Sequence, residues 1–334
     1  MTPPMDELLV LESDRLSVTL LPNKGCDLYA ITDRRTGVDV LFKSPWGLRT
    51  PPFHGTTSME RWIEAYPGGW QLLLPNGGDE CTHDGARFGY HGEAAVVAWQ
   101  VEERGASHAT LSVALTTAPL SVRREIVVEG PVLRVSETVT NHSPDPFACM
   151  WSHHPAFGAP FLDGSCRLAV GCARVSADDR APGTLLEAGS RHEWPIATAR
   201  DGSRVDLRRI PPPDEPRALL AYCSDFLEPY FALSNPGLGL GVGIRWPVEQ
   251  FPKAWLWQEV HSGQGWPWHR RAYVAAVEPA STIPGQGFAH ALAEGESGVL
   301  FAPEQSRQVV VEAVVFHDAR EVAGIDDGGV VRFA

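Results

Sequence analysis

The chain has 334 residues, 43% of them hydrophobic, and a formal net charge of −13. A chain of this length buries roughly three quarters of its unfolded surface, so intrinsic disorder is excluded. The negative balance repels phosphate backbones and anionic membranes, so neither nucleic acid nor a membrane is an expected partner.

No apolar run reaches the roughly 18 residues of a membrane span, and Met1 to Glu7 lacks the basic-then-apolar layout of a secretion signal. A cytoplasmic protein is expected. Six cysteines (Cys26, Cys81, Cys149, Cys166, Cys172, Cys223) form no C-x-x-C pair and read as reduced, mostly buried thiols rather than a zinc ribbon or redox site. With 32 Gly and 28 Pro, turns interrupt the chain too often for long helices.

In chain order, strand-sized apolar stretches fall at 8–11, 16–21, 28–31, 94–99 and 111–115. The segment 133–140 alternates, with Leu133, Val135 and Val139 on one face and Arg134, Ser136, Thr138 and Thr140 on the other, as a half-buried antiparallel strand requires. Glu129-Gly130-Pro131 is a turn before it. The same grammar recurs at 271–277 and 308–316. Gly237 to Gly243 alternates glycine with aliphatics, which suits a strand under close backbone approach better than a phosphate loop. No βαβ alternation, sequence repeat or long linker appears. The reading is all-β, a large antiparallel sandwich formed by residues 1–334 as one domain.

Signatures of serine hydrolases, zincins and nucleotide enzymes are absent. Polar residues embedded in apolar sequence are the remaining candidates. In Gly68 to Asp79, followed by Gly89-Tyr90-His91-Gly92, glycines allow close approach to a ligand, Trp70 offers a stacking face, and Gln71, Asn76, Asp79 and His91 can hydrogen-bond hydroxyls. The alternative is a Gly-rich loop with Trp70 in the core. In Trp151-Ser152-His153-His154-Pro155, the proline extends the backbone, so His153 and His154 point to opposite faces and cannot easily share a metal. Trp255 and Trp257 share a strand face, as core packing or as a carbohydrate platform. Glu278 closes the apolar run 273–277 on the face of Val274 and Ala276. A buried carboxylate there needs a partner or a cavity; otherwise it simply emerges into water.

At these motifs the chain resembles the aldose 1-epimerase, or galactose mutarotase-like, family. The ordered matches are Asn23-Lys24-Gly25, His91-Gly92, His154-Pro155-Ala156-Phe157 and Glu278-Pro279. The resemblance implies a β-supersandwich with an open cleft and cofactor-free interconversion of sugar anomers. It implies His154 as catalytic acid, Glu278 as catalytic base and His91 as a sugar contact. Gln71, Asn76, Asp79, His153 and Trp257 are further candidate sugar contacts. Galactose-type members carry an Arg after the Pro-Asn region, whereas this chain reads Pro75-Asn76-Gly77-Gly78-Asp79, which marks a divergent branch.

Opening a cyclic hemiacetal removes the O1 proton while protonating the ring oxygen, and needs neither hydride nor metal. Histidine near pKa 6.5 can donate while glutamate near 4.3 accepts, so His154 and Glu278 are expected on either side of one cleft. The competing readings are a silent sugar binder, a metal-dependent isomerase using His91, His153 and Glu278, and a sugar-phosphate epimerase using some of Arg87, Arg245, Arg270 and Arg271.

Overall fold

A computed structural model of the chain describes residues 8–318 and 320–334; the segment read for a leader, Met1 to Glu7, lies outside the described residues. Sixteen strands join in one antiparallel sheet, fourteen along one path and two, Arg167–Ala177 and Arg191–Glu193, branching from it. Its front half runs Leu9–Glu12, Leu16–Leu21, Asp27–Asp33, Trp70–Leu73, Ser152–Gly158, Tyr273–Ala280 and Lys253–Val260. Its back half runs Leu240–Arg245, Ser306–Phe316, Val132–Asn141, Leu120–Glu129, His108–Ala114 and Gln100–Arg104.

The 19-residue strand Arg217–Asn235 joins the halves. Its start pairs with Lys253–Val260 and its end with Leu240–Arg245, so the sheet turns its corner within one strand. Folding back lets Leu11, Leu16 and Val18 of the front pack with Leu111, Ile126 and Leu133 of the back in one core. No helix among the described residues is long and apolar enough to cross a membrane. The described cysteines are all free, and all but Cys81 are buried.

The alternation read at 133–140 holds within Val132–Asn141, but its inward face also carries Glu137. Arg124 on the neighbouring strand makes that burial possible. Its Nε and Nη2 donate to Glu137 Oε1 at 2.9 and 2.6 Å, and its Nη1 donates to the Cys26 carbonyl of the front half at 2.8 Å. Trp151 Nε1, also from the front, donates to Glu137 Oε2 at 3.0 Å. Burial works against an ionised Glu137, but the cationic partners and these hydrogen bonds hold its carboxyl below the ordinary range.

One expectation changes. The apolar segment 94–99 is a turn-rich loop rather than a strand; Ala94, Ala95 and Trp99 are buried, but the next strand begins only at Gln100. The helices among the described residues, Ser58–Ala65 and Phe288–Ala293, are short, in keeping with the turn-rich sequence. The Gly237–Gly243 run does enter a strand under close approach, because a Cβ on Gly241 would lie 2.2 Å from the Phe316 ring.

Replacing Arg124 with Met strands a buried carboxylate, which costs about 3–5 kcal/mol. Urea unfolding of R124M is expected to show that loss, and the double variant R124M/E137L to recover much of it. A loss below about 1 kcal/mol in R124M would contradict the role given to this pair.

Candidate functional site

Strand register brings the two principal candidates together. Ser152 pairs with Ala280 and Ala156 with Ala276, so His154 sits opposite Glu278 on the adjacent strand. On their outer sides His154 pairs with Gln71 and Glu278 with Trp255. Side chains in one such row share a face. His154 Nε2 lies 3.6 Å from Glu278 Oε1. The two therefore stand side by side on the floor of the cleft, not on either side of it as expected, because their strands are neighbours.

They open into a cavity of about 190 Å³. The helix Ser58–Ala65 supplies Met59, Trp62 and Ile63 as its roof, followed by Tyr66. Trp62 and Tyr66 stack at 4.6 Å, and their rings stand 5.9 and 5.7 Å from the His154 ring. Trp257 is 5.8 Å from His154 on the other flank and equally far from Trp268, which stacks on Trp46. Both Trp255 and Trp257 thus line the cavity, and Trp255 donates its indole N–H to the Thr282 carbonyl at 3.1 Å.

His91 completes the polar floor. Its backbone is left-handed (φ 57°), and the following Gly92 (φ 77°) has no room for a Cβ, which would lie 2.4 Å from the Leu74 carbonyl. This turn aims the imidazole at the site, 5.7 Å from His154 between ring centroids. Its Nδ1–H donates to the Gly77 carbonyl at 2.6 Å, which leaves the Nε2 lone pair free.

Burial overturns the protonation expected from ordinary pKa values. His154 is 5% exposed and Glu278 3%. Desolvation pulls His154 down to about 4, helped by the charge of Lys24, and pushes Glu278 well above the usual carboxylate range. His91 is likewise held well below 6.5, by desolvation and by His154. At neutral pH the floor holds neutral imidazoles beside a carboxyl whose ionisation is opposed by burial.

The other candidates divide. Trp257 is a wall of the cavity. Gln71 is fully buried beside His154, and its amide donates to Asp27 Oδ2 at 3.0 Å and to the Gly68 carbonyl at 2.8 Å, so it supports the floor instead of meeting a sugar. Asn76 is corrected for the same reason. Its Nδ2 donates to the Gly78, Asp79 and Gly89 carbonyls and its Oδ1 accepts from the Phe288 N–H, so the whole side chain is spent on holding the loop.

Asp79 is exposed on that loop and does not line the cavity. His153 points into the sandwich core, as the alternation required, so it is no sugar contact. Its Nδ1 accepts from Trp70 Nε1 at 3.1 Å and its Nε2 lies 3.5 Å from Glu137. Trp70 is therefore core, not a stacking face. With His153 on the far side of the sheet, it cannot join His91 and Glu278 around one metal, and no described group of three His, Cys, Asp or Glu side chains could hold one. None of Arg87, Arg245, Arg270 and Arg271 lines the cavity.

Trp62, Tyr66, Tyr90 and Trp268 are site residues that sequence reasoning missed. The signal for the first two was Thr57-Ser58-Met59-Glu60, a capping box. Thr57 Oγ1 accepts from the Glu60 N–H at 3.1 Å, and the Glu60 carboxylate accepts from the Thr57 N–H at 2.9 Å. That start places Trp62 and Tyr66 four residues apart on one face.

Comparison with known proteins supports the fold. Solved structures similar to this chain include the Slr1438 protein from Synechocystis sp. PCC 6803, at 19% identity and TM-score 0.70 over 95% of this chain and 98% of that one. A galactose mutarotase related enzyme from Lactobacillus acidophilus is 16% identical with TM-score 0.67, covering 93% and 97%. A GalM/aldose epimerase homologue from C. elegans is 14% identical with TM-score 0.61, covering 93% and 99%. At such identities the likeness shows a galactose mutarotase-like fold. No curated protein matches the chain. One family matches residues 5–315, nearly the whole sequence, and the chain belongs to it: the family described as a domain of unknown function, DUF4432.

Proposed function

We propose that this protein, acting as a single domain, is a mutarotase that interconverts the α and β anomers of an unphosphorylated aldose. The observation that carries the reading is the pairing of His154 Nε2 and Glu278 Oε1 at 3.6 Å on the floor of a small aromatic cavity. O1 and the ring oxygen of a pyranose are attached to the same carbon, so one acid and one base standing this close can reach both. The cavity is smaller than the roughly 300–1,000 Å³ usual for drug-sized ligands, which suits a single sugar ring.

The neutral pair assigns roles opposite to those the family resemblance implies. Glu278 carries the transferable proton and gives it to the ring oxygen, while His154 Nε2 accepts the proton of O1 as the C1–ring oxygen bond breaks. The open-chain aldehyde forms, with an imidazolium and a carboxylate left on the protein. Rotation about C1–C2 presents the other carbonyl face. The ring hydroxyl then attacks, Glu278 recovers its proton, and His154 returns its own to O1. No hydride, metal or external base enters the balance. A wall without Lys or Arg offers no partner for a phosphate dianion, which argues against the sugar-phosphate reading.

Anomer exchange measured by NMR on a panel of aldoses is expected to accelerate with the native protein. Each of H154A and E278Q is expected to lose about 10²- to 10⁴-fold. Exchange unchanged by the native protein, with sugar bound, would identify a silent binder instead.

The pH dependence follows from the two shifts. Turnover needs neutral His154, so it falls as pH drops through about 4. It also needs protonated Glu278, so it falls as pH rises through that group's elevated value. The rate is therefore expected to rise through about pH 4 and to fall only where Glu278 ionises, above the ordinary carboxylate range. Ordinary values would instead give a decline as pH rises through roughly 6.5. A decline of that kind would contradict the neutral pair.

A further inference from the structure

We propose that a second cavity, at the end of Arg217–Asn235 remote from the acid–base pair, binds a phosphate monoester. That strand reaches both places. Leu220 near its start lines the aromatic cavity, and Ser234 near its end lines the second one, which holds about 380 Å³ and shares no lining residue with the first.

Here the sheet sets two like charges against each other. Arg167, the first residue of Arg167–Ala177, forms an antiparallel bridge with Arg209, and the Leu168 N–H donates to the Arg208 carbonyl at 2.8 Å. This pattern makes Arg167 and Arg209 a non-hydrogen-bonded pair, the kind whose side chains stand closest, and like charges placed so repel. On its other side Arg167 pairs with Ser234. Arg209, Arg167 and Ser234 therefore form a row across three strands on one face of the sheet, and all three line the cavity.

Among the described residues, the carboxylates nearby are committed to other arginines. Asp206 feels the charge of Arg209 but accepts from Nε and Nη2 of Arg208, whose Nη1 donates to Glu321 at 3.2 Å. Asp318 accepts from Arg320. Arg167 spends only Nη1, on the Ser165 and Cys166 carbonyls at 3.0 and 2.9 Å, so its Nε and Nη2 remain for a ligand. Ser234 is 6% exposed, and its hydroxyl has no partner among the described residues. In a chain of net charge −13, this local cluster is what draws an anion.

The donors select the head group. Two guanidiniums and a hydroxyl serve three acceptors, which matches the three terminal oxygens of a phosphate monoester better than the two of a carboxylate. The cavity lies within the roughly 300–1,000 Å³ usual for small organic ligands, so it has room for more than the phosphate group. Ala169, Pro236 and Val322 give the organic part an apolar wall.

The test is calorimetric titration of the full chain with glycerol 3-phosphate, glucose 6-phosphate, AMP, inorganic phosphate and malonate. At least one monoester is expected to bind about tenfold or more tighter than inorganic phosphate and than malonate. R167Q, R209Q and S234A are each expected to weaken it by about tenfold or more, whereas R35Q, at an exposed arginine outside the cavity, leaves it unchanged. No monoester binding, inorganic phosphate or malonate binding as tightly, or affinity retained in R167Q and R209Q would overturn the proposal. Thermal unfolding in phosphate-free buffer separates a ligand site from a structural one. R209Q removes a like-charged neighbour and no side-chain hydrogen bond, so it is expected to be at least as stable as the native chain. A marked loss of stability would make Arg209 structural and overturn the assignment. Neither readout involves anomer exchange, so the outcome is independent of the mutarotase reading.

Discussion

The site depends on two-residue alternation along Ser152–Gly158, held in place from behind. His153 and His154 are adjacent in sequence and serve opposite sides of the sheet. A shift of one residue would exchange them, sending His154 into the core and His153 into the cleft. The core-side contacts oppose that slip. His153 is fixed by Trp70, Trp151 by Glu137, and Glu137 by Arg124, which reaches across to the front half at Cys26. A one-residue slip would withdraw the Trp151 N–H and the His153 ring from the buried Glu137 carboxylate, leaving it to Arg124 alone. The charge network inside the sandwich and the acid–base pair outside it are therefore two ends of one constraint on register.

The second consequence is dryness. Burial raises the pKa of Glu278 well above the ordinary carboxylate range, and the aromatic enclosure keeps water from it. Trp62, Tyr66 and Trp257 surround His154 at nearly equal distances, and the short helix closes the roof. The same walls leave few hydrogen-bonding atoms for a ligand. The pKa shifts and the small number of hydrogen-bonding atoms thus arise from one feature, a polar floor under an apolar roof.

Much of the fold was legible in the sequence because alternation and turn residues are local signals. The strands at 16–21, 133–140 and 308–316 lie where their patterns placed them, and the Gly-Pro turn at 130–131 connects Leu120–Glu129 to Val132–Asn141. The opposite facing of His153 and His154 was legible for the same reason. Asn76 and Gln71 could not be assigned from sequence, since a buried amide that organises a loop and one that meets a sugar look alike until their partners are known. Glu137 was passed over because its compensation comes from Arg124 on the next strand. The pKa shifts of His154 and Glu278 were not legible because ordinary values assume water, and burial here comes from residues more than 80 positions away, such as Trp62.

The most direct test of the account is a crystal structure with a bound aldose. The account predicts O1 within hydrogen-bond reach, about 2.6–3.2 Å, of His154 Nε2 and the ring oxygen equally close to the Glu278 carboxyl. A sugar seated in the cavity with its anomeric carbon turned away from both side chains would contradict it.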